Sequence, residues 1–526
     1  MRRTAVLTVG LFLTTAYAPG AEPAAGFFRV RDSDGNWFFI DPQNRPFFSI
    51  GINCINPADD DVPGPKYNGL ARHGGDLEKW RRKTLERLRS WNVNTIGAWS
   101  SLRGMPYVLE LSLSYAWADV FDDDFENYVR QAALDVLKRP DVAADYETLA
   151  RDPLLIGYFT DNELPWGWGY EWSGNENELS LFEYYATLKP ESAGKQAWAA
   201  YLAETYNQDW NRLSRVWNVM AARRADLLDA TKIAPRSPQH RVEARRVADG
   251  FLKRIAERYF DVTNRVMRGH LPRHLNLGCR MTPGFPPVVA EVAGRYADVM
   301  SFNIYERGPA RIVEELTRLH KASGKPVMLT EFSFPARKNR SGNTNAGYER
   351  ATVRDDRERG EHYARCLDAL AELPFVVGCH WFQYYDEPTQ GRSDGENCNF
   401  GFVDVQDRVY EDLSRAAAAA NHRAISRRTR AFPGTRLKSS HRCGMSARAS
   451  ALPDGGRSLC WGFGNGGGQH GDSGAVSGMC VGDPGGREAR GPAGEVSEVW
   501  GDDSGARAGR GHVRFPAPAP ARPRER

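Results

Sequence analysis

Between Phe27 and Arg430 short apolar runs alternate with longer amphipathic stretches, which confines this part of the chain to repeated β-α units around a parallel sheet. After an opening hairpin, FFRVRDSDGNWFFIDPQNRPF, come FFSIGINCI (47 to 55), VNTIGAW (93 to 99), PYVLELSL (106 to 113) and LLIGYF (154 to 159). LNLGCRM (275 to 281), VMSFNIY (299 to 305), PVMLTEF (326 to 332) and FVVGCHWF (375 to 382) follow. Eight such runs predict a (β/α)8 TIM barrel, preceded by the hairpin, in which catalytic groups sit at the carboxyl ends of the strands. The intervening segments have helical periodicity. In DLEKWRRKTLERLRSW the residues Leu77, Trp80, Leu85, Leu88 and Trp91 fall near one face. The stretch AGKQAWAAYLAETYNQDWNRLSRVWN makes an excursion after the fourth run that is too long for a plain crossover.

The two ends differ in kind from the middle. Arg2 and Arg3, the apolar stretch Ala5 to Leu13 and the small-residue site Ala16-Tyr17-Ala18 predict a signal peptide over 1–18, hence a secreted or periplasmic protein. That stretch is too short to span a bilayer, and no membrane association is expected after cleavage. The catalytic barrel is expected over 27–430. Residues 431–526, rich in Gly, Ala, Arg, Ser and Pro, are expected to form a disordered tail. Within the tail HGDSGA imitates a serine-protease loop, but its flanks supply no strands or triad partners. CWGFGNGGGQHGD is one degenerate propeller-like motif, and one copy closes no propeller. The net charge of +4 is dispersed among acids, so no nucleic-acid partner is expected. Eight cysteines are sparse and irregularly spaced, matching neither a disulfide framework nor a zinc site; Cys54, Cys279 and Cys379 lie in apolar runs as buried thiols. No cofactor or metal is expected, and nothing in the pattern selects an oligomeric state.

Two glutamates stand at strand ends. GYFTDNELPWG places Asp161-Asn162-Glu163 after the fourth run, and KPVMLTEFSF places Glu331 at the end of the seventh. Taken alone, an Asp-Asn-Glu triplet is more often a solvated turn. Across a barrel mouth the two glutamates form the pair that glycosidic hydrolysis with retention requires, about 5 to 5.5 Å apart, one as proton donor and one as nucleophile. Asp161 is expected to orient its loop through backbone or Arg280. Trp166 and Trp168 could cap the barrel or line a subsite, and Asp122, Asp123 and Asp124 suit helix capping better than metal binding.

An asparagine directly before a fourth-strand glutamate, with a glutamate ending the seventh strand, resembles the retaining clan A glycoside hydrolases. The resemblance implies that Glu163 is the acid/base, Glu331 the nucleophile and Asn162 the partner of the sugar 2-hydroxyl. NTIGAWS, PLLIGYFTDNELPWG, LNLGCRM, DVMSFNIYE and GCHWFQYYDEPTQGRSDGENCNFGFVDVQDRVY narrow the likeness to glycoside hydrolase family 50, the β-agarases, over roughly residues 45 to 415. It implies a sugar-binding rim of Asn53, Trp99, Arg280, Asn303, Tyr305, His380, Trp381, Gln383 and Glu396. His380 could equally be a core histidine, and Glu396 could shape its loop without touching sugar. The substrate implied is a galactose-containing polysaccharide or oligosaccharide, with agarose-type β-1,4 linkages first. A β-galactosidase-like exo-enzyme and a non-catalytic carbohydrate-binding barrel are the alternatives.

Overall fold

The computed structural model describes residues 26–57, 69–114, 119–139, 146–166, 180–392 and 395–433, so the expected signal peptide over 1–18 and the expected tail from 434 onward lie outside the described residues. The opening hairpin is a three-stranded antiparallel meander of β1 (Arg29–Ser33), β2 (Asn36–Ile40) and β3 (Pro46–Phe47). The β1-β2 turn is Asp34-Gly35, both with positive φ, as a two-residue type I′ hairpin loop demands.

The eight predicted runs form one parallel sheet. Its members are β4 (Ser49–Ile52), β5 (Thr95–Ile96), β6 (Tyr107–Glu110), β7 (Leu155–Phe159), β8 (Leu275–Asn276), β9 (Arg280–Met281), β10 (Met300–Asn303), β11 (Val327–Glu331) and β12 (Val376–Trp381). The fifth run supplies both β8 and β9, parted at Gly278, whose φ of 76° suits glycine. β8 pairs with β7 and β9 pairs with β10, so this broken strand is the seam that closes the barrel. Across the break the Leu277 N–H donates to Tyr158 O at 2.8 Å and the Ser301 hydroxyl to Leu277 O at 2.9 Å.

Helices fill the connections. α1 (Leu77–Ser90) follows β4, and α2 (Phe125–Leu137) and α3 (Tyr146–Arg151) follow β6. The excursion after β7 folds as α4 (Leu181–Thr187), α5 (Ala193–Thr205), α6 (Trp210–Val216), α7 (Arg224–Leu228) and the 30-residue α8 (Arg241–His270). α9 (Pro287–Ala293), α10 (Pro309–Ser323), α11 (Asp356–Glu372) and α12 (Glu411–Ala431) complete the ring. Asp76 caps α1 by accepting the Lys79 N–H, and Trp80, Thr84 and Leu88 form its buried stripe. Leu77, expected on that stripe, is exposed at the first position of the helix.

Inside the barrel, Val108, Ile156, Leu275, Val299, Met328 and Val377 pack with Phe28 and Phe39 of the meander. The small sheet therefore plugs the amino-terminal end of the barrel and leaves the carboxyl ends of the strands for chemistry. Phe39 is fully buried, and Phe39→Ala should lower the unfolding free energy by about 3–5 kcal/mol, measured by denaturant titration. An unchanged midpoint would show that the plug contributes nothing to the core.

Candidate active site

Four successive barrel strands end on residues other than glycine in the left-handed region: Cys54 (φ 55°), Trp99 (φ 54°), Ser112 (φ 48°) and Glu163 (φ 52°). Such backbone persists only where surrounding contacts impose it, and here it follows one rim of the mouth.

The Asp161-Asn162-Glu163 segment is pinned from three sides. Asp161 is fully buried and accepts the Ser114 N–H at 2.9 Å, the Ser114 hydroxyl at 3.2 Å and the Tyr259 hydroxyl at 2.6 Å. It orients the loop, as expected, but through Ser114 and α8 rather than through the Arg280 side chain. The long excursion thus has a role at the site, since it brings Tyr259 beneath the motif. On the backbone, the Arg280 N–H donates to Asp161 O at 3.0 Å and the Glu163 N–H to Arg280 O at 3.1 Å.

Asn303 at the end of β10 joins the two halves. Its Nδ2 donates to Glu163 Oε1 at 2.8 Å and to Asn162 Oδ1 at 3.0 Å, while its Oδ1 accepts the Thr330 hydroxyl at 2.7 Å. The register of β10 against β11 shifts between Phe302 and Asn303, so that Asn303 pairs with Glu331. Glu331 accepts Arg280 Nη2 on Oε1 at 2.7 Å and the Tyr305 hydroxyl on Oε2 at 2.5 Å.

These surroundings separate the two carboxyl groups. Burial and then the negative charge of Glu331 push Glu163 up to about 7, against the Asn303 hydrogen bond and the more distant Arg280. Burial also raises Glu331, but the Arg280 charge and the Tyr305 hydroxyl oppose it by stabilising the ionised form. One member of the pair is fitted to carry a proton near neutrality, and the other carries bonds that favour its anion.

The predicted rim divides into groups that meet at the mouth and groups that hold the barrel together. Asn162, Arg280, Asn303 and Tyr305 surround the two glutamates. Trp99 is 36% exposed, with the Arg280 guanidinium 4.4 Å from its ring centre. Glu396 accepts Arg392 Nη1 at 2.9 Å and the Tyr348 hydroxyl, and its charge raises both Glu163 and Glu331. Gln383 follows β12 and is nearly buried.

Three predicted rim residues belong to the scaffold instead. Asn53 is fully buried and spends both ends of its amide on main chain, donating to Thr330 O at 2.9 Å and accepting the Ala98 N–H at 3.1 Å. His380 lies inside the barrel against Gly51, with Nε2 2.9 Å from the Ser49 hydroxyl. Burial, and then the Arg280 charge, lower it to about 3, which keeps the imidazole neutral. Trp381 is buried on the opposite face of β12 among Phe332, Phe334, Tyr363 and Phe402, its Nε1 donating to Phe400 O at 2.7 Å.

Trp166 stacks on Phe260 as a core aromatic, and Trp168 lies outside the described residues. Asp124 is the N-cap residue of α2, and Asp122 Oδ1 accepts its N–H. Cys54, Cys279 and Cys379 are free thiols. Among the described residues no group of three or more His, Cys, Asp or Glu side chains could hold a metal ion.

Two carboxylates escaped the sequence reading. Glu110 ends β6 and accepts Trp99 Nε1 at 2.9 Å. Glu387 is buried after β12, accepts the Cys398 N–H at 2.6 Å and is pushed well up by burial and by Glu396. The predicted run continues to Leu113, so the strand end at Glu110 is visible only in the structure, and Glu387 follows β12 in a loop.

In this (β/α)8 barrel Asn162 and Glu163 follow the fourth barrel strand and Glu331 ends the seventh. No family model matches the chain. Among characterised proteins it is 27% identical to beta-agarase B of Vibrio sp. (strain JT0107) over 75% of its own length, and 28% identical to beta-agarase A of the same strain over 76%. The chain spans about half the length of these relatives, 48% and 45%. A crystal structure of an agarase superposes with a TM-score of 0.62 at 25% identity, covering 77% of this chain and 66% of the other. A solved exo-beta-agarase gives the same TM-score at 23% identity, covering 77% of this chain and 66% of the other, which bears on the fold. By sequence the chain is similar to these β-agarases, and its barrel has the fold of the solved agarases.

Asp161→Ala would leave the Ser114 N–H buried without its acceptor and the Tyr259 hydroxyl with only the Thr160 hydroxyl, 3.0 Å away. We expect a loss of on the order of 2–4 kcal/mol in stability, read from thermal or urea denaturation. Wild-type stability would contradict the anchoring role.

Proposed function

We propose that the protein is an exported retaining glycoside hydrolase that cleaves β-glycosidic bonds in a galactose-containing glycan, agarose-type β-1,4 linkages first. The observation that carries this reading is the unequal pair: Glu163 raised to about 7 beside Glu331, which is held by Arg280 and Tyr305. The agarase relatives support the substrate class, and the signal-like leader supports export.

In the first step Glu331 attacks the anomeric carbon while Glu163 gives its proton to the departing glycosidic oxygen, leaving a glycosyl ester on Glu331. Forming that ester removes the negative charge that raised Glu163, so the acidity of Glu163 increases once its proton has left. It is then a carboxylate suited to take a proton from water. That water attacks the anomeric carbon and releases Glu331. Asn162 is assigned to the 2-hydroxyl of the reacting sugar, held there by Asn303.

The rate on neoagaro-oligosaccharides should fall as pH rises through about 7, because Glu163 must be protonated in the first step. Glu163→Gln should remove this alkaline limb and lower kcat at least about a hundredfold on unactivated substrates. Glu331→Gln should abolish turnover with the circular dichroism spectrum unchanged. Full activity in Glu331→Gln, or an alkaline limb that persists in Glu163→Gln, would reject these roles. Release of galactose from simple β-galactosides with no product from agarose or neoagaro-oligosaccharides would move the substrate away from agarose.

A further inference from the structure

Among the described residues Trp99 is the single aromatic side chain that ranks with the exposed large hydrophobic groups. It is also one of the most constrained. Its backbone is left-handed at φ 54°, its ring lies over the Arg280 guanidinium at 4.4 Å, and its edge meets Phe382 at a centroid distance of 6.2 Å. The remaining polar atom of the indole, Nε1, donates to Glu110 Oε2 at 2.9 Å.

Glu110 is held in turn. Oε1 accepts the Ser112 N–H and Oε2 the Ser112 hydroxyl, each at 2.9 Å, through a tight turn in which Ser112 has φ 48°. Beneath Trp99, Arg280 is fully buried, stacked between the Trp99 and Phe159 rings, and bonded to Glu331. A chain of direct contacts thus runs from Glu110 through Trp99 and Arg280 to Glu331. An exposed, rigid indole at a barrel mouth offers a flat apolar surface to the C–H face of a pyranose without the entropy cost of ordering the ring on binding.

We propose that Glu110 is a positioning residue for substrate: it locks Trp99 as a stacking platform over Arg280, and so sets the affinity of a sugar-binding subsite beside Glu331. This role rests on the glycosidase reading and adds to it a residue that touches neither substrate nor the reacting atoms. Without Glu110 the indole loses its fixed orientation, and the sugar bound on it must order the ring itself.

Steady-state kinetics of the full chain on neoagarotetraose and neoagarohexaose provide the test, comparing wild type, Glu110→Ala, Trp99→Phe and the double variant. Glu110→Ala should raise KM roughly tenfold and leave kcat within about twofold, the pattern of lost binding shared by ground and transition states. Trp99→Phe keeps a ring but has no Nε1, so adding Glu110→Ala to it should cost little more than Trp99→Phe alone. If Glu110→Ala fails to fold, Glu110→Gln, which keeps the volume with a single acceptor oxygen, is expected to give the same KM shift at smaller size. An unchanged KM in a folded variant, a fall in kcat alone, or effects of the two substitutions that simply multiply would overturn the role of Glu110. In those cases Glu331→Gln would still be inactive and the glycosidase reading would stand. A wild type with no turnover of either oligosaccharide would overturn both.

Discussion

The buried ion pair between Arg280 and Glu331 is the contact on which the rest of the site depends. Arg280 belongs to β9, the second half of the broken strand that closes the barrel, and its backbone bonds Asp161 on one side and Glu163 on the other. The same residue therefore sets the backbone of one catalytic candidate and the charge of the other. A buried guanidinium is costly to desolvate, and here the cost is offset by a 2.7 Å bond to a carboxylate, a second bond to Thr330 O at 3.1 Å and stacking on two rings. Removing either partner would strand a charge in the barrel.

Around this pair the fold concentrates strain and support at one end. The meander closes the amino-terminal end with Phe28 and Phe39, while left-handed residues cluster at the carboxyl ends of the first four strands. The excursion between β7 and β8 contributes Tyr259 beneath Asp161, and Thr330 and Asn303 fix each other at the join of β10 and β11. Asn162, Asn303, Arg280 and Tyr305 near the two glutamates are each bonded to a neighbouring side chain, which is what a site acting through electrostatic preorganisation needs.

Much of this was legible because barrel strands are apolar and helices are amphipathic, so the eight runs were visible as a pattern. Glu163 and Glu331 stood out because each ends such a run. What escaped depends on the direction of side chains and on contacts far apart in sequence. His380 and Trp381 are adjacent in β12, and alternation along a strand sends one inward and the other outward, so the two could not both line the mouth. Asn53 resembles a rim amide until its two backbone partners, Thr330 and Ala98, are known. Glu110 lies inside the third run, where only the structure ends the strand, and takes its meaning from Trp99, while Glu387 takes its own from Glu396. The break at Gly278 is hidden inside an apolar run because a glycine there can mark either close packing or a kink.

In the proposed mechanism burial and then the charge on Glu331 raise the proton affinity of Glu163, and loss of that charge on forming the ester lets a single glutamate act as acid and then as base. Carbon-13 NMR titration of Glu163 in the wild type and in Glu331→Gln measures this directly. Titration of Glu163 near 7 in the wild type, and at clearly lower pH once Glu331 is neutral, is the result the account predicts. The same titration midpoint in both proteins would contradict it.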